Sequence, residues 1–220
     1  MAMGNGVRTR YSIAMHNDGG ARVAVTVRCF GKIYETENKR FSGMTPEFFR
    51  RHFEKLASKL SPEATIFGKP EVDFSKYPGI VSYTVDVPDF ASPIGKYLSF
   101  DLPGYRELLK IVDVGEERKT PYVNFVGDVR LEYEIILPEN HRPTTRADGR
   151  RTMGAPGAII YTGKSRSFGN RIYIGHQLLC YPGIIDSSES VAVDDIHRRL
   201  NRLHEWRIVL EPIREKGENL

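Results

Sequence analysis

Tryptophan occurs once and cysteine twice among 220 residues. No apolar run approaches the roughly 20 residues that a membrane-crossing helix requires. Two cysteines, Cys29 and Cys180, can build neither a disulfide framework nor a thiolate metal cage. The opening stretch from Met1 to Val7 lacks the apolar centre of a secretory signal. Low-complexity tracts and internal repeats are also lacking. Charge of one sign is missing as well: 32 Lys and Arg stand against 28 Asp and Glu, giving a net charge of +4. That is a mildly basic chain without the electrostatic footprint of a nucleic-acid binder, so nucleic acid is not the expected partner. What is present is 40% hydrophobic and 27% charged residues, enough to bury a sizeable core.

Period-two alternation dominates the chain. The run from Ala21 to Cys29 places Ala21, Val23, Val25, Val27 and Cys29 on one face. A shorter run from Tyr11 to Met15 precedes it, and Asn17-Asp18-Gly19-Gly20 between them predicts a hairpin. Further strands are expected at Val81 to Val87, Leu98 to Leu102, Val129 to Leu137, Ala158 to Thr162, Arg171 to Cys180 and Trp206 to Leu210. Residues Gly163 to Asn170 read as a connection. Thr45 and Pro46 start a helix that carries Phe49, Phe53, Leu56 and Leu60 at helical spacing and stops at Ser61-Pro62. A second helix, capped by Asp194, carries Ile196, Leu200 and Leu203. The segment 139–157 combines proline, glycine and arginine with few apolar side chains and reads as a long surface loop.

These elements predict an α+β domain over 1–220, mainly β with two helices. Strands in this order without βαβ alternation suggest an antiparallel, β-sandwich-like fold, either single or in two lobes that meet near 103–122.

The segment from Asn17 to Ser58, with its Asp-Gly turn, Gly31, Arg40-Phe41 and Thr45-Pro46-Glu47, resembles the start of the C-terminal domain of bacterial transglutaminase-like proteins. The likeness continues through Tyr77 to Ala91, Tyr97 to Pro103, Ile135 to Pro143 and the closing Arg207 to Pro212. Members of that family place a domain of unknown function and a Cys-His-Asp transglutaminase-like core before this module. Neither is found within these 220 residues. The resemblance therefore implies an accessory, non-catalytic module that packs on a transglutaminase-like core or a cell-envelope partner. It also implies a cell-envelope or secreted setting. A transglutaminase or cysteine-protease-like enzyme is the alternative, and a polyanion binder is the third reading.

Candidate sites follow from residue chemistry. Cys29 and Cys180 fall in phase with apolar strand positions and are expected to be buried structural thiols rather than nucleophiles. His204, which precedes Glu205-Trp206, is read as closing a helix rather than serving a catalytic cysteine. Asp194, Asp195 and His197 have spacings unsuited to a shared metal and are read as a solvated helix start. No catalytic residue, cofactor or metal is expected. Arg142, Arg146, Arg150 and Arg151 form the candidate anion-binding set, to which Lys164, Arg166 and Arg171 downstream could gather; a solvated loop is the plainer reading. Val7, Tyr11, Ile13 and Phe30 on the first hairpin are the expected apolar docking surface, where the chain would meet a protein partner.

Overall fold

Alternation in the first two runs gives the hairpin of β1 (Gly6–Met15) and β2 (Ala21–Phe30), with Met15 opposite Ala21. Gly19 has φ +90, and the Asp18 carboxylate accepts from the Gly20 N–H at 2.9 Å, so the turn satisfies itself locally. The structure is a computed structural model that describes residues 4–113, 122–124, 127–144, 149–155, 157–202 and 207–213. His204, Trp206 and Arg146 lie outside them.

After β2 the chain reverses at Gly31. Its φ of +58 suits glycine, and a Cβ there would sit 2.2 Å from the Gly4 carbonyl oxygen. Helix α1 (Lys32–Ser42) follows, then α2 (Pro46–Ser58), whose Thr45 hydroxyl accepts from the Phe48 N–H at 3.4 Å as the sequence predicts. Next come β3 (Thr65–Asp73), β4 (Gly79–Val87), β5 (Ser92–Ile94), β6 (Tyr97–Asp101), α3 (Tyr105–Ile111), β7 (Tyr122–Asn124) and β8 (Gly127–Ile136). The remainder is β9 (His141–Pro143), β10 (Gly149–Ala155), β11 (Ile159–Phe168), β12 (Arg171–Cys180), β13 (Gly183–Ile185), α4 (Ser187–Arg202) and β14 (Arg207–Pro212).

Eight strands form one open sheet in the order β10-β11-β12-β8-β1-β2-β4-β3. A second sheet orders β5-β6-β14-β9, and β7 pairs with β13. The large sheet is mixed rather than antiparallel. At its centre β1 and β8 run parallel, with Tyr11 beside Tyr133 and Ile13 beside Ile135. Hairpins cannot make that join; it needs the long crossover through α1, α2, β3 to β6 and α3.

The odd-numbered side chains of β1 and β8 share a face with Val23, Val85, Ile172 and Leu178. That face packs against Ala57 of α2, Tyr105 and Leu108 of α3, Val193 and Leu200 of α4, and Phe100 and Leu210 of the smaller sheet, all in one buried cluster. Four helices are described where two were expected. Helix α1 has no buried residue and packs through rings, Tyr34 on Phe74 at 5.5 Å and Phe41 on Phe53 at 6.3 Å, so it carries no apolar stripe. The seven residues of α3 are too few to display a period.

Three boundaries are corrected. Helix α4 begins at Ser187, so Asp194 does not cap it. Asp194 and Asp195 instead lie within the helix and pair four residues on with Arg198 at 2.9 Å and Arg199 at 2.7 Å. The segment 163–170 is not a loop, because β11 runs to Phe168 and turns at Gly169, whose φ is +57. The expected loop at 139–157 contains β9 and β10, the latter being the last strand of the large sheet. At the opposite edge, β3 gives no clear alternation, because Gly68, Lys69 and Pro70 interrupt it where the register shifts between Phe67 and Glu71. A break of this kind discourages pairing with another chain.

Candidate functional site

The even-numbered side chains of β1 and β8 lie on the other face of the large sheet, where no helix of the described residues contributes to the packed core. Their cross-strand neighbours on β11 and β12 continue the same face. One row across the sheet reads Arg10, Glu132, Gly175, Lys164, Arg150. The next row on one side reads Arg8, Arg130, Gln177, Thr162, and on the other side Ser12, Glu134, Tyr173, Arg166.

Gly175 has no side chain to fill its place, and a trough opens over it. The larger part, about 690 Å³, is lined by Arg10, Glu132, Glu134, Arg166, Phe168 and Tyr173. The adjoining part, about 320 Å³, is lined by Arg8, Arg130, Arg150, Thr162, Lys164 and Gln177. The Lys164 stem lies along the glycine: a Cβ on Gly175 would come within 2.9 Å of Lys164 Cε.

The acids of this face are already satisfied. Glu134 accepts from Arg10 at 2.9 Å and from Arg171 at 2.9 Å, and the Arg10 hydrogen bond holds its carboxyl below the usual range. Arg8 donates to Glu132 at 2.6 Å, while Asp128 accepts from Arg130 and from Gln177. By contrast, Arg150, Lys164 and Arg166 on β10 and β11 have no acidic partner among the described residues. Arg150 stands directly opposite Lys164 in the ladder. Like charges so placed repel and destabilise the pair. Two exposed rings complete the wall, Phe168 at 73% and Tyr173 at 39% exposure.

The arginine set expected from the sequence is dispersed. Arg142 on β9 donates to Glu211 of β14 at 2.9 Å. Arg150 is on the trough, whereas Arg151 is in phase with Met153 and Ala155 of the packed face. Lys164 and Arg166 do gather with Arg150, because β11 extends as a strand and sets their register against β10 and β12. The proposed docking surface is also corrected. Tyr11 and Ile13 are buried, Ile13 completely, and Val7 and Phe30 are half-buried. The reason is that this face of the hairpin is covered by α3 and the smaller sheet, whose Tyr105, Leu108, Phe100 and Leu210 share its core cluster.

Cys29 and Cys180 are buried, and desolvation pushes each thiol up to about 11. Thiolate is the reacting form, so a rise from 9.0 to about 11 reduces it about a hundredfold at pH 8. A chromogenic disulfide reagent should therefore titrate almost nothing in the native protein at pH 8 and two thiols after unfolding. Prompt reaction of the native chain would show that a cysteine is accessible.

Among the described residues no cluster of His, Cys, Asp and Glu could hold a metal, and no helix is long and apolar enough to cross a membrane. Comparison with protein-family models, with curated proteins and with solved structures finds no match.

Proposed function

We propose that this chain is a non-catalytic accessory module, as its resemblance to the C-terminal domain of transglutaminase-like proteins implies, and that it meets a protein partner through the open face of its large sheet. The observation that carries this reading is the one-sided packing. The core cluster draws α2, α3, α4 and the smaller sheet onto one face. The opposite face presents ordered rows of charge around a trough. A β-sandwich-like description suits this arrangement of a large and a small sheet on a common core.

The chemistry of the thiols supports a binding role over a nucleophilic one, since both are desolvated on the packed side. Two readouts test the proposal. Incubation with a glutamine donor and an amine acceptor should give no turnover above the blank. Turnover lost on Cys29→Ala or Cys180→Ala would overturn the non-catalytic assignment. Side-chain oxidation in the presence of a transglutaminase-like catalytic core should protect Phe168 and Tyr173 but not Phe48, which is 64% exposed on α2. Protection at Phe48 alone would move the partner to the helical side.

A further inference from the structure

Resting on the reading of the open face as the partner surface, we propose that the trough over Gly175 binds an extended acidic segment of a partner protein. In that segment an Asp or Glu is followed two and four residues later by aromatic side chains.

The charge argument comes first. Within the trough each acid already accepts from an arginine, so the unbalanced groups are the cations Arg150, Lys164 and Arg166. A bound carboxylate would relieve the repulsion across the Arg150 and Lys164 pair and accept charge-assisted hydrogen bonds. Arg8 and Arg130 face the same hollow from the other side of β12. Those two are already engaged by Glu132 and Asp128, so the carboxylate falls to Arg150 and Lys164.

Spacing then selects the form of the ligand. Along β11 the open-face positions are Lys164, Arg166 and Phe168, and the Tyr173 ring stands opposite Arg166. Successive same-face positions on a strand are roughly 6.6 Å apart, and an extended peptide repeats its side chains at that distance. A carboxylate held at Lys164 therefore puts the side chain two residues on beside Tyr173 and the one four residues on beside Phe168. Exposed rings flanked by cations suit aromatic partners, which bury apolar area and pair edge to face. Polymers charged at every unit fit less well, because Glu132, Glu134 and Asp128 line the same face.

The test is a titration of the full chain with a synthetic peptide carrying Glu-Thr-Tyr-Thr-Phe, read by calorimetry at 50 mM and 200 mM salt. Binding should weaken with salt. It should fall at least about tenfold when the peptide glutamate is replaced by glutamine, as expected for loss of a charge-assisted contact. Lys164→Ser with Arg150→Ser should cause the same loss and make the two peptides equivalent. Phe168→Ala should weaken both peptides alike. All three residues are exposed, so the fold should be kept, with the melting temperature unchanged for Phe168→Ala and unchanged or slightly raised for the double variant, which relieves the Arg150 and Lys164 repulsion. Equal affinity for the glutamate and glutamine peptides, or an affinity indifferent to the double variant, would overturn the proposal. So would single-stranded DNA that binds more tightly than the peptide and gains affinity with length. These outcomes leave the turnover and oxidation experiments standing, and turnover would overturn the accessory reading without touching the peptide result.

Discussion

Unfolding free energy should fall by about 2 kcal/mol between pH 7 and pH 4.5, and most of that loss should vanish in His176→Gln. His176 is on β12, 4% exposed, with the Tyr105 ring at 4.8 Å, the Tyr161 ring at 5.9 Å and the Tyr133 ring at 6.0 Å. Its Nδ1 is 2.7 Å from the Tyr161 hydroxyl, and its Nε2 has no hydrogen-bond partner among the described residues. Desolvation lowers its pKa from 6.5 to about 4. The neutral ring is therefore the folded form. In the unfolded chain the imidazole takes a proton near 6.5, while the folded protein cannot do so until about pH 4. The stability contributed is complete above the unfolded pKa and is lost as pH falls from there through the folded one, reaching about 3 kcal/mol in all.

Glu47, Asp73 and Glu134 are held below their ordinary values by hydrogen bonds, from Arg50, Ser75 and Arg10 respectively, so their contributions start to go at the foot of this window, as pH falls through the ordinary carboxylate range, and do so equally in both proteins. His52 is likewise lowered, by burial first and then by Arg40. It remains in both proteins, so the difference between native chain and variant isolates His176. Denaturant melts at several pH values measure it. Parallel curves for the two proteins would show that the imidazole reaches solvent.

The sequence exposed the strands whose two faces differ most in polarity. In β8, Leu131, Tyr133 and Ile135 are buried and Arg130, Glu132 and Glu134 are not, so alternation alone located it. The β1 and β2 hairpin was readable because Asp18 and Gly19 announce the turn. What stayed hidden was long-range or locally featureless. Nothing in the composition of β1 states that β8 will lie parallel beside it, and that pairing turned an expected exposed hairpin into the middle of a sheet. The trough's basic residues could be grouped from the sequence, but the register that forms the trough could not, for a related reason. Arg150 and Lys164 are 14 positions apart in the chain and meet only through the register of β10 and β11. Once Gly163 to Asn170 is taken for a connection, polar residues such as Lys164 and Arg166 read as solvated loop, although their alternation with Ser165 and Ser167 was a strand signal. Helix α1 left no stripe because aromatic contacts at its margins do the packing.

Ile13→Asp should prevent stable folding, and this separates the observed core from the hairpin docking surface expected of the sequence. Ile13 is 0% exposed, flanked by Val23 of β2 and Ile135 of β8, each also fully buried. Removing such a side chain from the core forfeits about 1.5–3 kcal/mol of apolar burial. A carboxylate in its place must either remain charged without a partner or take up a proton, and either costs several kcal/mol more. The sum is comparable with the whole stability of a domain, about 5–15 kcal/mol, so the variant should be unfolded or melt at least about 10 °C lower. Ile13→Val provides the graded control: it removes one methylene and should cost about 1 kcal/mol with the fold intact. Circular dichroism melts of the two variants decide the matter. If Ile13→Asp melts like the native protein, β1 presents the opposite face to solvent from the one described, and the rows that place Arg8 and Arg10 on the open face must be reassigned with it.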